Sequence, residues 1–242
     1  MEFEVDQPVA VFDVDDTLLI GDCLWLAARR AKGPWGQVIA TFTSVPWLIS
    51  WQLRLVSTGR FKQQVIAAFG ICEAVNCAVA AGRSNWLLDD LQVRVNPEAL
   101  QRLRWHQQRG DRVLLCSASP RMLLQPLADW LGVELLCTEL EQKFGRWRPR
   151  LVGANCKGPE KVRRLEEHLG SIFDLTIEAY GDSKGDRELL KTAAIPHYRS
   201  FSIEPRPYPA FSLGPLLPVV AIAVLCYGLL GIWSQGDQLL PW

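Results

Sequence analysis

The sequence predicts an α/β fold: a parallel sheet covered by helices, with an all-helical insert carried on it. Short apolar runs that end in acids or small hydroxyl residues recur at 10–14, 111–119 and 174–183. Segments with helical periodicity separate the later runs, while the long interval from about Gly21 to Val95 carries no such run. Strand alternating with helix requires crossover connections and therefore parallel pairing, with helices on both faces of the sheet.

AVFDV (10–14) reads as a fully buried strand, short and bounded by acids. DRVLLCSAS (111–119) and DLTIEAYGDS (174–183) repeat the pattern, VELLCTEL (133–140) adds a strand, and IPHYRSF (195–201) a shorter one. PEALQRLRWHQQRG (97–110), PRMLLQPLADWLG (120–132) and GPEKVRRLEEHLG (158–170) read as helices, each closed by glycine at its C-terminal end. KFGRWRPRLVG (143–153) alternates aromatic and basic residues about a turn and reads as a β-hairpin, either a solvated edge or a basic rim for an anionic substrate or membrane. Chemistry in such sheets collects at the carboxyl ends of the strands, where Asp13, Ser117 and Asp182 fall.

The insert reads as helical throughout, in LWLAARRAK, PWGQVIATFTSVPWLISWQLRLV and FKQQVIAAFGICEAVNCAVAAGRSNWLLDDL. Its size and place between the first two strands suit a cap that closes over the strand ends. Residues 33–53 are uncharged, tryptophan-rich and flanked by Arg29, Arg30, Lys32 and Arg54. Two readings stay open for them: a face that packs within the cap, or a segment lying on lipid.

The chain of 242 residues holds 26 basic and 26 acidic residues, a balance with no global field to recruit nucleic acid. Its seven cysteines form no CxxC pair and several sit in apolar runs, which suits reduced, buried thiols. MEFEVDQP is acidic and shows no cleavable secretory signal. From Pro207 to Gly236 there is no charge, and 216–233 approaches the roughly 20 apolar residues a spanning helix needs. Arg199 and Arg206 precede that segment and only Asp237 follows, so the expectation is a membrane-anchored chain with its catalytic domain in the cytoplasm. A buried core helix is the alternative. The expected organisation is a core at 1–20 and 96–205, a cap at 21–95, and at 206–242 a Pro-rich linker with a transmembrane segment at about 213–233.

Like charges at Asp13, Asp15 and Asp16 give a strand end no stability, so they point to a cation or a reaction. Taken in order, VFDVDDTLL, VLLCSASP, a lysine in CKGPEKVRRL and YGDSKGD resemble the haloacid dehalogenase superfamily of phosphohydrolases, in its phosphoserine phosphatase-like group. The resemblance runs to about Ser202 and implies a Rossmann-like core with an inserted helical cap. It assigns Asp13 as the nucleophile that forms an aspartyl-phosphate and Asp15 as the acid and base. Thr17 completes the first motif, while Asp16 falls at a variable position as a turn or capping acid.

The same resemblance implies Mg²⁺, held by Asp13, the backbone carbonyl of Asp15 and Asp182, with Asp186 on a metal-bound water or on the lysine. It puts the Ser117 hydroxyl on phosphate. Ala118 and Ser119 then open the next helix, whose N–H groups favour an anion, and capping of that helix is an equal reading for Ser117. Lys157 and Lys161 both suit the motif lysine. Lys161 is favoured by its place inside the helix, about 21 residues before Asp182, a spacing similar to that of family relatives, with Lys157 as a loop contact to substrate.

The motifs leave the leaving group open. An apolar cap with Trp25, Trp35, Trp47 and Trp51, and a likeness to the group's membrane-associated phosphatidylglycerophosphate phosphatases, imply a lipid-borne monoester, phosphatidylglycerophosphate or a polyprenyl phosphate. Arg54, Arg60, Lys62 and Arg83 instead suit a soluble metabolite such as phosphoserine. A third reading is a membrane-tethered partner module of a prenyltransferase or transport system.

Overall fold

The computed structural model describes residues 7–202, and the linker and transmembrane segment expected at 206–242 lie outside them, as does Cys226. Six strands form one sheet: β1 (Val9–Phe12), β2 (Arg112–Pro120), β3 (Glu134–Lys143), β4 (Arg146–Val152), β5 (Ile177–Gly181) and β6 (Ile195–Tyr198). Their order is β4-β3-β2-β1-β5-β6. Only the β3–β4 pair is antiparallel.

The sheet is buried on both faces because alternate residues of each strand point opposite ways. Ala10 and Phe12 join one apolar cluster with Leu103, Leu115 and Leu124, while Val9 and Val11 join a second with Leu114, Leu165 and Ile177. Helices α6 (Pro97–Arg109), α7 (Arg121–Leu131) and α8 (Pro159–Leu169) flank it. β1 is central, parallel to β2 on one side and to β5 on the other. The chain therefore leaves it in both directions, which opens a crevice at its carboxyl end.

Residues 23–92 carry α1 (Cys23–Ala31), α2 (Pro34–Gln52), α3 (Thr58–Ala68), α4 (Ile71–Ala80) and α5 (Leu88–Gln92). The stretch from Phe61 to Leu91 is not continuously helical. Gly70, at φ +62°, ends the run between α3 and α4, a left-handed geometry that glycine adopts at little cost. Another short helix, α9 (Arg187–Thr192), follows β5.

Two further expectations change. The hairpin is built from β3 itself and β4, turning at Phe144 and Gly145, both at positive φ, so 133–140 and the start of 143–153 form one strand. The helix expected from Pro120 opens only at Arg121, which leaves Ser117, Ala118 and Ser119 in β2. Proline disfavours helical geometry in the residue before it, which holds Ser119 extended. Neither Ser117 nor Ser119 caps α7.

The six described cysteines are free, and all but Cys77 are buried. Arg163 pairs with both Glu160 and Glu167, while Arg164 pairs with Glu160 and is largely buried against the Ala154 carbonyl. Among the described residues no single helix is long and apolar enough to cross a membrane, and the pair α3 and α4, which together would be, is bent by 55°.

Candidate active site

The crevice above β1 gathers residues from four places in the sequence. Asp13 follows β1 directly, and its backbone N–H donates to the Tyr180 carbonyl of β5. Lys161 projects from the first turns of α8 and is almost completely buried. Its Nζ donates to Asp13 Oδ1 at 2.5 Å, to Asp186 Oδ1 at 2.6 Å and to the Cys116 carbonyl at 2.6 Å. Three acceptors saturate an ammonium's three N–H bonds, so the geometry of this lysine is fixed.

Burial would strip the Lys161 proton, but Asp13, Cys116 and Asp186 raise its pKa above the ordinary lysine value. Burial pushes the Asp13 carboxyl up to about 7, against the pull of Lys161. It pushes Asp182 up to about 6, helped by Asp186 and Asp16. Asp186 lies below its ordinary value, burial notwithstanding, because Lys161 and Ser183 hold its carboxylate.

Asp186 closes a 3₁₀ turn, Lys184–Asp186, whose capping box ties Ser183 to it: the Ser183 N–H and Oγ–H both donate to Asp186 Oδ2. Gly181 makes this approach feasible, since a Cβ there would sit 2.6 Å from the Asp186 Cβ. Carboxylate oxygens of Asp13, Asp182 and Asp186 lie within 4.8 Å of one another. Lys161 contacts two of these three acids and Asp182 has no lysine partner among the described residues, so the cluster is short of positive charge. An all-oxygen donor set of this kind fits a hard divalent cation such as Mg²⁺.

The Asp15 carboxylate points elsewhere. It accepts from the Cys23 N–H at 2.8 Å and from Ser119 Oγ at 2.6 Å, which fixes both oxygens beside the cluster rather than in it. Asp16 turns the chain at φ +57° and accepts from the Gly21 N–H. Thr17 is buried with its hydroxyl directed at Asp182 Oδ1, 3.5 Å away.

A cavity of about 290 Å³ opens beside these groups. Asp13, Asp15, Lys161, Asp182 and Asp186 reach it, as do Ala118 and Lys157, whereas Ser117 and Thr17 do not line it. Ser117 is fully buried and its Oγ accepts from the Ser119 N–H. Lys157 runs along the wall over Gly185, where a Cβ would meet its Cε at 2.8 Å.

Asp22 and Asn155 also line the cavity and carried no motif signal, while Ser119, which the second motif contains, lines it from β2 rather than from a helix start. Lys62 enters from α3 and donates to the Ala118 carbonyl at 2.5 Å and to Asn155 Oδ1 at 3.0 Å. Burial lowers its pKa, opposed by Asp15 and Asp22. Its signal was legible, because Lys62 shares a helical face with buried Val65, Ile66 and Phe69. Arg54, Arg60 and Arg83 do not line the cavity, whose apolar wall is Leu24, Trp25, Trp51, Phe61 and Val65.

Comparison with known proteins agrees with this geometry. Residues 10–191 match the family model of haloacid dehalogenase-like hydrolases. Protein CicA of Caulobacter vibrioides is 30% identical over 204 residues, covering 82% of this chain and 89% of that protein. Phosphoserine phosphatase SerB2 of Mycobacterium tuberculosis is 28% identical over 191 residues, 76% of this chain but 42% of that longer protein. A solved structure of a Bordetella pertussis Tohama I protein of unknown function superposes with a TM-score of 0.66 at 23% identity, over 79% of this chain and 89% of that one. A substrate-bound phosphoserine phosphatase shares the fold at a TM-score of 0.52 and 15% identity, over 81% and 87% of the two chains.

Proposed function

The chain belongs to the haloacid dehalogenase-like hydrolase family and is a phosphoric monoester hydrolase; from that premise we propose a Mg²⁺-dependent phosphatase that works through an aspartyl-phosphate on Asp13. The observation that carries this reading is Lys161, which spans Asp13 and Asp186 at the mouth of a carboxylate cluster. A buried cation in contact with the nucleophile favours its ionised form against burial and meets the charge of an arriving phosphate.

In the first step an Asp13 oxygen attacks phosphorus, and the bond from phosphorus to the ester oxygen breaks. Asp15, as general acid, gives a proton to the leaving oxygen. In the second step Asp15, now a carboxylate, takes a proton from water as that water attacks phosphorus. The acyl-phosphate bond breaks, inorganic phosphate leaves and both carboxyl groups return to their starting states. Ser119 and the Cys23 N–H hold Asp15 in one orientation for both transfers. Asp13, Asp182 and the Asp15 carbonyl would hold Mg²⁺, which when bound neutralises phosphate charge. Asp186 positions Lys161.

For the substrate we infer a lipid-borne phosphomonoester, phosphatidylglycerophosphate or a polyprenyl phosphate, with the apolar wall of Trp25, Trp51 and Phe61 as support. Lys62 and Asp22 favour a second reading, a small polar ester such as phosphoserine. The test is phosphate release by full-length protein in detergent micelles with Mg²⁺, comparing those three esters with Asp13→Asn as control. Preference for a lipid ester by orders of magnitude is the expected result. A preference for phosphoserine overturns the lipid reading, and equal release by Asp13→Asn overturns the mechanism.

A further inference from the structure

Helix α2 turns its large side chains the wrong way for a surface helix of a globular domain. Such helices bury an apolar stripe and leave polar residues outside. Here the two residues buried are Ala40 and Ser44. Trp35, Ile39, Ile49 and, just past the helix, Leu53 are 82%, 62%, 51% and 64% exposed. Their spacing of 4, 10 and 4 positions returns close to the same angle of a 3.6-residue repeat, so they make one outward stripe along the whole helix.

The surroundings of that stripe carry one sign of charge. From Cys23 to Cys72 the sequence holds Arg29, Arg30, Lys32, Arg54, Arg60 and Lys62 and no aspartate or glutamate, in a chain whose net charge is +0. Arg30 pairs with Asp90, and Lys62 turns into the cavity. Among the described residues Arg29, Lys32, Arg54 and Arg60 have no ion-pair partner. Arg29 in the last turn of α1 and Lys32 precede α2, and Arg54 and then Arg60 in the first turn of α3 follow it, so the apolar stripe is bracketed in sequence by cations at both ends. A soluble apolar partner would answer the stripe alone. An anionic phospholipid surface answers both, acyl region to the tryptophans and headgroups to the arginines and lysine.

We propose that the outward face of α2 docks on an anionic phospholipid interface and brings the cavity to it. Trp51 links the two, since it belongs to α2 and lines the cavity, stacked on Phe61 with ring centroids 5.3 Å apart. The inference rests on the lipid-borne reading of the substrate and adds the surface that meets the lipid.

The experiment is hydrogen exchange of the full-length chain with vesicles of phosphatidylglycerol and phosphatidylcholine, against phosphatidylcholine alone, for wild type and Ile39→Glu/Ile49→Glu. Both side chains are exposed, so the double variant keeps its fold and its turnover of soluble p-nitrophenyl phosphate. Amides of α2 in wild type are expected to slow about ten-fold on the anionic vesicles, and the double variant to lose that slowing. Reading α2 itself separates this contact from any other attachment of the chain to lipid. Unchanged α2 exchange on anionic vesicles overturns the proposal. So does protection that appears without vesicles and rises with protein concentration, which assigns the face to a second copy. Protection of α2 together with turnover of phosphoserine but no vesicle-borne monoester keeps the docking face and removes the lipid substrate instead.

Discussion

The strand-end cluster and helix α2 are opposite uses of side chains. At the cluster, charge is drawn inward: Lys161 donates to Asp13 and Asp186, and Ser183 donates to Asp186 again. On α2, charge is absent and large apolar groups face outward. Burying charge costs stability unless it is paired, and exposing Trp and Ile forgoes burial worth about 1.5–3 kcal/mol per side chain. A fold that accepts both costs has placed chemistry at one region and a contact surface at the other.

Four substitutions sharpen that contrast. The largest effect belongs to the Asp15→Asn change, which removes the proton donor and acceptor without altering shape; steady-state phosphate release is expected to fall about 10²–10⁴-fold. An unchanged rate would move the acid and base elsewhere. Next is Lys161→Met, which leaves Asp13 and Asp186 buried together without their cation. Loss of about 3–5 kcal/mol in denaturant unfolding is expected, as for other buried pairs deprived of one member. A stable Lys161→Met chain would show that the cluster is wetter than its burial indicates.

Smaller still is Gly181→Ala. The new Cβ would meet the Asp186 Cβ at 2.6 Å, so Asp186 must move off Lys161, at about 1–3 kcal/mol and with a measurable drop in turnover. The smallest concerns an ordinary surface pair. Arg112, with His168, holds the Glu134 carboxyl down at about 2, against the usual 4.5. Because the folded value is the lower one, this pair contributes its full stability above about pH 4.5 and loses it as pH falls toward 2. Glu134 is more than a third exposed, so Glu134→Gln should lower stability at neutral pH by only about 0–1 kcal/mol. That difference should vanish in acid unfolding near pH 2.

The sheet and its flanking helices were legible because each signal is local: apolar runs of strand length, glycines at helix ends and acids at strand ends. Asp13, Asp15 and Asp182 stood out as acids at strand ends, whereas Lys161 and Asp186 were picked out by the resemblance of their motifs to the family. What escaped was set by tertiary contact or by competing local geometry. Ser119 reaches Asp15 because Pro120 keeps the chain extended past Ser117, against the pull of the helix that follows. Asp22 and Asn155 line the cavity only once the helical insert and β4 fold toward it. For α2 the composition is nearly uniform around the helix, so the sequence could not tell which side faces out. That side was decided by small Ala40 and Ser44, which fit against the neighbouring structure where tryptophan would not.

The central claim is a covalent phosphoryl group on Asp13, and acid quenching tests it most directly. Full-length protein turning over p-nitrophenyl phosphate with Mg²⁺ is quenched and digested, and the peptide holding residues 11–19 is weighed and fragmented. The predicted result is a fraction of that peptide heavier by one phosphoryl group, placed on Asp13, labile to hydroxylamine and absent from Asp13→Asn. Turnover at the wild-type rate by Asp13→Asn, or a phosphoryl group mapped to any other residue, would contradict it.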